Sequence, residues 1–221
     1  MNINDLALVG VILIILIICL SLFIFAPKSI NYYPDAYPDI TNIYNNSIHL
    51  IKKDLEKIKD KDWLKWPDKE HIVGNVSTYP LYMFSIPAIK RKKICYNTYS
   101  SIKKITNVKS CTFIKFDANS KLTKNQQWQE LANNTLRVLF ILEAGFSTSD
   151  EKLGIWVNGE IKKIKDNSVI VYDSSKEHTI YNNTKVPMYL LLIDVARPND
   201  VARGASTRKY DDQVQKFITR I

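Results

Sequence analysis

With 221 residues, 46% of them hydrophobic and 24% charged, the chain is too apolar for a disordered polymer and long enough for one domain with a sizeable core. It carries no repeat or low-complexity segment, and of its three cysteines Cys19 lies in the first apolar run, leaving Cys95 and Cys111 to read as two isolated buried thiols rather than a disulfide framework. The formal charge is +9; after residue 26 it becomes +10, with all 31 lysines and arginines set against 21 of the 22 acidic residues, yet these charges are scattered in runs such as 90–93 and 162–165 with no nucleic-acid motif beside them, so nucleic acid is not the expected partner.

After a short tail, residues 1–5, the segment Leu6 to Ala26 reads LALVGVILIILIICLSLFIFA without a single charge. That is the length a helix needs to cross ~30 Å of hydrocarbon, so residues 6–26 are expected to form one transmembrane helix, a single-pass anchor whose partner is the lipid bilayer. A secretory signal would carry a basic n-region and a shorter apolar run. The charges beside the anchor, Asp5 before it and Lys28 after it, lean weakly towards a cytosolic domain and leave the side of the membrane open.

Residues 27–60 read as a linker with two Pro-Asp pairs, Pro34-Asp35 and Pro38-Asp39, followed by an amphipathic helix over Asn42 to Ile58. Ile43, Ser47, Leu50, Ile51, Leu55 and Ile58 share one face of it. Trp63 and Trp66 are expected as aromatic core residues under a loop, and Ser100 to Ile105 as a short helix.

From Leu153 onwards the pattern changes to short strands. Ile155 and Val157 precede Asn158-Gly159, a two-residue hairpin signal, and Ile161 and Ile164 follow it. Ser168 to Tyr172 is a β-branched run, His178 to Tyr181 leaves a Ser/Asp-rich turn, and Met188 to Val195 is apolar enough for a central strand. Regularly spaced short strands predict a sandwich or barrel, mainly β with flanking helices. His178, at a strand mouth, is the first place to look for chemistry. Arg137, inside an apolar strand, can bind an anion or pair with a buried carboxylate, for which Asp173 and Asp194 are available. The tail after Pro198, residues 199–221, is expected to pack loosely until a terminal helix over Val214 to Ile221.

The block Gly154, Ile155, Val157, Glu160, Val171, Tyr172, Asp173, Glu177, His178, Tyr181, Asn182, Asp194, Arg197, Pro198 resembles the conserved run of aspartyl/asparaginyl β-hydroxylases without a gap. Upstream, Pro80, Leu81, Tyr82 and Phe84, then Cys95, Thr98, Ile105 and Val108, then Asn133, Leu136 and Arg137 match further elements of that family. The resemblance covers roughly Trp63 to Pro198, within an expected domain over residues 61–198. It implies a double-stranded β-helix, a cupin-like jelly-roll, and an iron(II) and 2-oxoglutarate dioxygenase acting on Asp or Asn side chains of peptides. It also implies a departure. The first histidine ligand is missing, since KLTKNQQWQELANNTLRV, residues 121–138, holds none; a further histidine is replaced by Leu139; and the arginine that grips 2-oxoglutarate falls at Met188. If the chain is active, His178 and, among Asn125, Gln126, Gln127, Gln129 and Glu130, the charged Glu130 would hold iron, with Arg137 on the co-substrate. Otherwise the domain is a degraded dioxygenase with a binding or structural role at a membrane, taking a protein partner. The family's membrane-bound members place this domain in the lumen, and four sequons, at Asn45, Asn75, Asn133 and Asn182, would suit that side.

Overall fold

A computed structural model describes residues 12–17, 30–83, 86–145 and 152–219. The expected anchor, residues 6–26, lies largely outside them; its described part, residues 12–17, is helical with exposed side chains. Among the described residues no helix is long and apolar enough to cross a membrane. Residues 31–221 form a separate compact unit.

That unit is built in three layers. The long helix α1 (Ile40–Leu55) and the short helix α3 (Tyr96–Ile102) cover one face of a larger antiparallel sheet. The sheet runs β1 (Leu64–Lys65), β3 (Val76–Met83), β5 (Val108–Phe116), β12 (Met188–Ala196), β7 (Thr135–Glu143), β10 (Val169–Tyr172), with β4 (Ile86–Pro87) paired to β3. A smaller antiparallel sheet of β2 (Ile72–Val73), β6 (Ser120–Asn125), β11 (His178–Asn182), β8 (Leu153–Val157) and β9 (Glu160–Lys163) faces the other side. From β5 to β12 the chain crosses from one sheet to the other at nearly every step, and only the β8–β9 hairpin stays within one sheet. Such alternation is what winds two sheets into a double-stranded β-helix.

The period of two along each strand decides which core a side chain joins. On β7, Val138, Phe140 and Leu142 pack on α1 and α3, while Leu139 and Ile141 point between the sheets. On β12, Leu191, Ile193 and Val195 face the helices and Leu190 and Leu192 face inwards. Both strands are buried on both faces, which is why their sequences read as unbroken apolar runs. Tyr44 stitches the helix layer to the sheet through its hydroxyl, which donates to the Ile141 carbonyl at 2.6 Å, and its ring meets Phe140 edge-on.

The strands expected between residues 153 and 196 stand where the patterning put them, and Asn158 and Gly159 form the hairpin with φ of 43° and 91°. Helix α1 starts two residues before the expected Asn42 and ends at Leu55. The helix expected from Ser100 begins at Tyr96, because the buried Asp54 carboxylate receives the Thr98 backbone N–H at 2.7 Å and caps that turn from α1. Cys95 and Cys111 are free and buried, as two isolated thiols. The segment after Pro198 departs from expectation: it is pinned across the domain before α5 (Asp212–Ile218), which ends short of the expected Ile221.

Candidate functional site

Register across the central strands makes the polar heart of the domain. Arg137 on β7 lies directly opposite Asp194 on β12 and opposite Tyr172 on β10. All three point between the sheets. Arg137 Nε donates to Asp194 Oδ1 at 2.9 Å and Nη2 to Oδ2 at 3.3 Å, a two-pronged pair that buries both groups almost completely. Ser110 Oγ donates to the same carboxylate. Burial acts to depress the guanidinium, but the charges and hydrogen bonds of Asp194 and Tyr172 together outweigh it, so Arg137 sits above its ordinary value. Burial pushes the Tyr172 phenol up to about 12.

His178 opens β11 and is 3% exposed, its ring 5.3 Å from that of Tyr172. Its Nδ1 lies 2.9 Å from the Lys176 carbonyl. A carbonyl only accepts, so the proton of the neutral ring sits on Nδ1 and Nε2 carries the lone pair. Burial, then repulsion from Arg137, pushes the imidazole down to about 4. The turn before it is rigid: Asp173 Oδ1 accepts from the Ser175 backbone at 3.0 Å and its hydroxyl at 2.6 Å, and Arg197 braces the same carboxylate from the end of β12. Asp173 and Arg197, two of the residues that carried the family resemblance, therefore hold the turn that places His178.

The mouth beside His178 and Arg137 is closed by the segment after β12. Asn133 exchanges two hydrogen bonds with Ser206, its Oδ1 accepting from the backbone N–H at 2.7 Å and its Nδ2 donating to the carbonyl at 2.9 Å. Ser206 Oγ donates to the Gln127 carbonyl at 2.6 Å, and the Arg208 carbonyl accepts from the Gln129 N–H at 2.7 Å. The Arg208 guanidinium reaches Asp68 at 2.6 Å and lies over the Trp128 ring. What remains is a cavity of about 20 Å³, lined by Trp66, Asp68, Gln127, Trp128, Arg137 and His178 among others, beside one of about 30 Å³ that Arg137 and Asp194 also line. Trp66 Nε1, Gln127 Oε1 and Trp128 Nε1 are buried there without a hydrogen-bond partner among the described residues. Space on this scale holds one or two waters, which such orphaned groups would bind.

Arg137 and His178 are thus brought together, and Glu130 is not. It lies exposed on α4 (Gln129–Ala132), accepting at 3.4 Å from Gln129, and does not line either cavity. The helical turn points it outwards while its neighbours Leu131 and Ala132 take the buried face. Of the other oxygen donors in that turn, Asn125 and Gln127 both line the cavity with His178, Asn125 donating its Nδ2 to Asp68. Leu139 and Met188, where the resemblance leads one to expect a further histidine and a co-substrate arginine, are fully buried in the apolar core between the sheets. Asp68, Trp128 and Arg208 complete the site without having been foreseen. Arg208 and Asp68 are 140 residues apart, and no local signal pairs them.

The family's cofactors, iron(II) and 2-oxoglutarate, do not fit these residues. Ferrous iron asks for several imidazole and carboxylate ligands with positions left open. Here one histidine lines the cavity, and among the described residues no three His, Cys, Asp or Glu side chains converge on a point. The two guanidinium groups at the mouth are already paired with Asp194 and Asp68.

Two antiparallel sheets wound by an alternating chain around a buried histidine and arginine define a double-stranded β-helix. The chain belongs to the aspartyl/asparaginyl beta-hydroxylase family, whose model matches residues 45–198. It is similar to the ornithine lipid ester-linked acyl 2-hydroxylase of Rhizobium tropici, at 24% identity over 158 residues, 67% of this chain and 54% of that protein. The chain thus spans about half the length of that curated relative. Among solved structures it is similar to a 2OG-Fe(II) oxygenase family oxidoreductase of Burkholderia pseudomallei, with 11% identity, TM-score 0.48, and coverage of 74% and 83% of the two chains. It is also similar to a prolyl-4-hydroxylase of Pseudomonas putida, with 7% identity, TM-score 0.46, and coverage of 72% and 88%.

Proposed function

We propose that this is a membrane-tethered, hydroxylase-fold protein whose barrel no longer supports iron and 2-oxoglutarate chemistry and serves instead as a binding or structural element of a membrane assembly. The tether is the uncharged run 6–26. The observation that carries the reading is the two-pronged pair between Arg137 and Asp194, which occupies the guanidinium that points between the sheets. A 2-oxoglutarate carboxylate would have to displace a buried carboxylate already bonded to Arg137 and Ser110.

A second reading, an active hydroxylase with altered ligands, draws on His178, whose Nδ1–H contact leaves Nε2 with a free lone pair of the kind metals take. On that reading the substrate class spans peptide Asp and Asn side chains, from the family, and acyl chains, from the relative's name. Binding of ferrous iron and 2-oxoglutarate to the full chain in detergent, under anaerobic conditions, separates the two, with His178→Ala as control. No binding at millimolar co-substrate is expected. Stoichiometric binding abolished by the substitution would overturn the first reading in favour of the second.

A further inference from the structure

We propose that the segment from Ile86 to Tyr96, IPAIKRKKICY, is a second membrane contact: a basic and aliphatic knob that seats on the surface of an anionic lipid bilayer. This segment holds four cations and no acid. The short helix α2 (Ile89–Ile94) sorts them by direction. Arg91 and Lys92 turn inwards: Arg91 lies over the Tyr79 ring and reaches the Pro80 carbonyl, and Lys92 lies 4.3 Å from the centre of the Tyr99 ring. Ala88 and Cys95, at the ends of the helix, are buried. Those contacts fix the inner face, so the outer face is left with Ile89, Lys90, Lys93 and Ile94, flanked by Ile86 and Tyr96.

The exposure of that outer face is unusual for its chemistry. Ile86 and Ile89 are each 68% exposed and Tyr96 63%, although ample apolar core lies beneath them. Four large apolar side chains held out in solvent by a helix whose inner contacts are cationic are not a core that failed to close. Interleaved lysines and isoleucines lack the contiguous flat surface a protein interface needs. A bilayer surface needs none: isoleucine and tyrosine side chains enter the headgroup boundary while lysines reach lipid phosphates. Charge complementarity points the same way, since each lysine brought to an anionic surface strengthens binding about fivefold. The occupant is also at hand if residues 6–26 tether the chain as proposed above, an assumption on which the inference rests for its local concentration of lipid.

The test uses the full chain in vesicles, with Cys19→Ala and a bimane probe on Ile89→Cys, since Cys95 and Cys111 are buried. Flotation with the vesicles reports the tether, and the probe reports the knob, so the two can fail separately. In vesicles containing one part in three of an anionic phospholipid the probe should shift to the blue and be quenched by brominated acyl chains. Lys90→Glu with Lys93→Glu should remove most of that quenching, and a probe on Ile161→Cys, equally exposed on β9, should stay wet. A floated chain whose residue-89 probe stays in water, as it would if the knob met a protein partner, overturns the proposal. So does quenching that is equal in neutral vesicles or equal at residue 161.

Discussion

Arg137 and Asp194 show how a single register position sets the character of the whole interior. Because they face each other across adjacent strands, each neutralises the other where both are almost wholly buried. Arg137→Met leaves the Asp194 carboxylate buried and unpaired, and should cost about 3–5 kcal/mol in urea unfolding. Arg137→Met combined with Asp194→Leu should recover most of that loss, because an apolar pair of similar volume strands no charge. His178 makes the complementary case for pH. Its folded value, about 4, lies below the ordinary 6.5 of an unfolded chain, so between these values the unfolded state binds more protons. Its contribution is complete above pH 6.5 and is lost as pH falls towards 4, by up to about 3 kcal/mol. His178→Asn should flatten that part of the stability profile, measured as urea midpoints from pH 7 to 4. Asn182 shows a limit of motif reading. As a sequon it suggested glycosylation, but it is fully buried, its Nδ2 donating to the Phe116, Asp117 and Val186 carbonyls and its Oδ1 accepting from Thr184. A buried amide with every hydrogen-bonding position filled staples β11 to the β5 end and has no room for a glycan.

At the scale of elements, the hairpin between β8 and β9 and the closing segment 199–210 behave in opposite ways. The hairpin is local: Gly159 at φ 91° has nothing near the place of a Cβ, so Gly159→Ala should cost only backbone strain, about 1–2 kcal/mol by thermal unfolding. Its two-residue turn was legible because its chemistry is contained in two neighbouring residues. The closing segment is held by partners at Asp68, Gln127, Gln129, Asn133 and Ser175, scattered over more than a hundred positions, and so gave no periodic signal. Ending the chain at residue 198 should therefore open the mouth, redden the tryptophan emission as Trp128 meets water, and expose His178 to modification by diethylpyrocarbonate. An unchanged emission spectrum and a protected His178 would show that the segment is dispensable for closure.

Over the whole molecule, the scattered +10 after residue 26 is expected to give only weak, unspecific attraction to duplex DNA, no tighter than micromolar at about 0.15 M salt, as gel-shift titrations can check. The strands of the carboxyl half, helix α1 and the family were legible in sequence, because alternation, helical periodicity and a gapless run of motif residues are carried by neighbours along the chain. Strands β3, β5 and β6 were not read: they lack turn signals as sharp as Asn158-Gly159, and β3 and β5 are central strands with little alternation. Leu139 and Met188 stand where the resemblance leads one to expect a histidine and an arginine, an expectation that rests on the motif register alone. What the tertiary structure alone decided is the state of the residues that remain. It paired Arg137 with Asp194 rather than with Asp173, turned Glu130 out to solvent, and laid residues 199–210 across the mouth. Each of those outcomes depends on which strands become neighbours and on how far water is excluded between them, and neither is written in the order of residues along one segment.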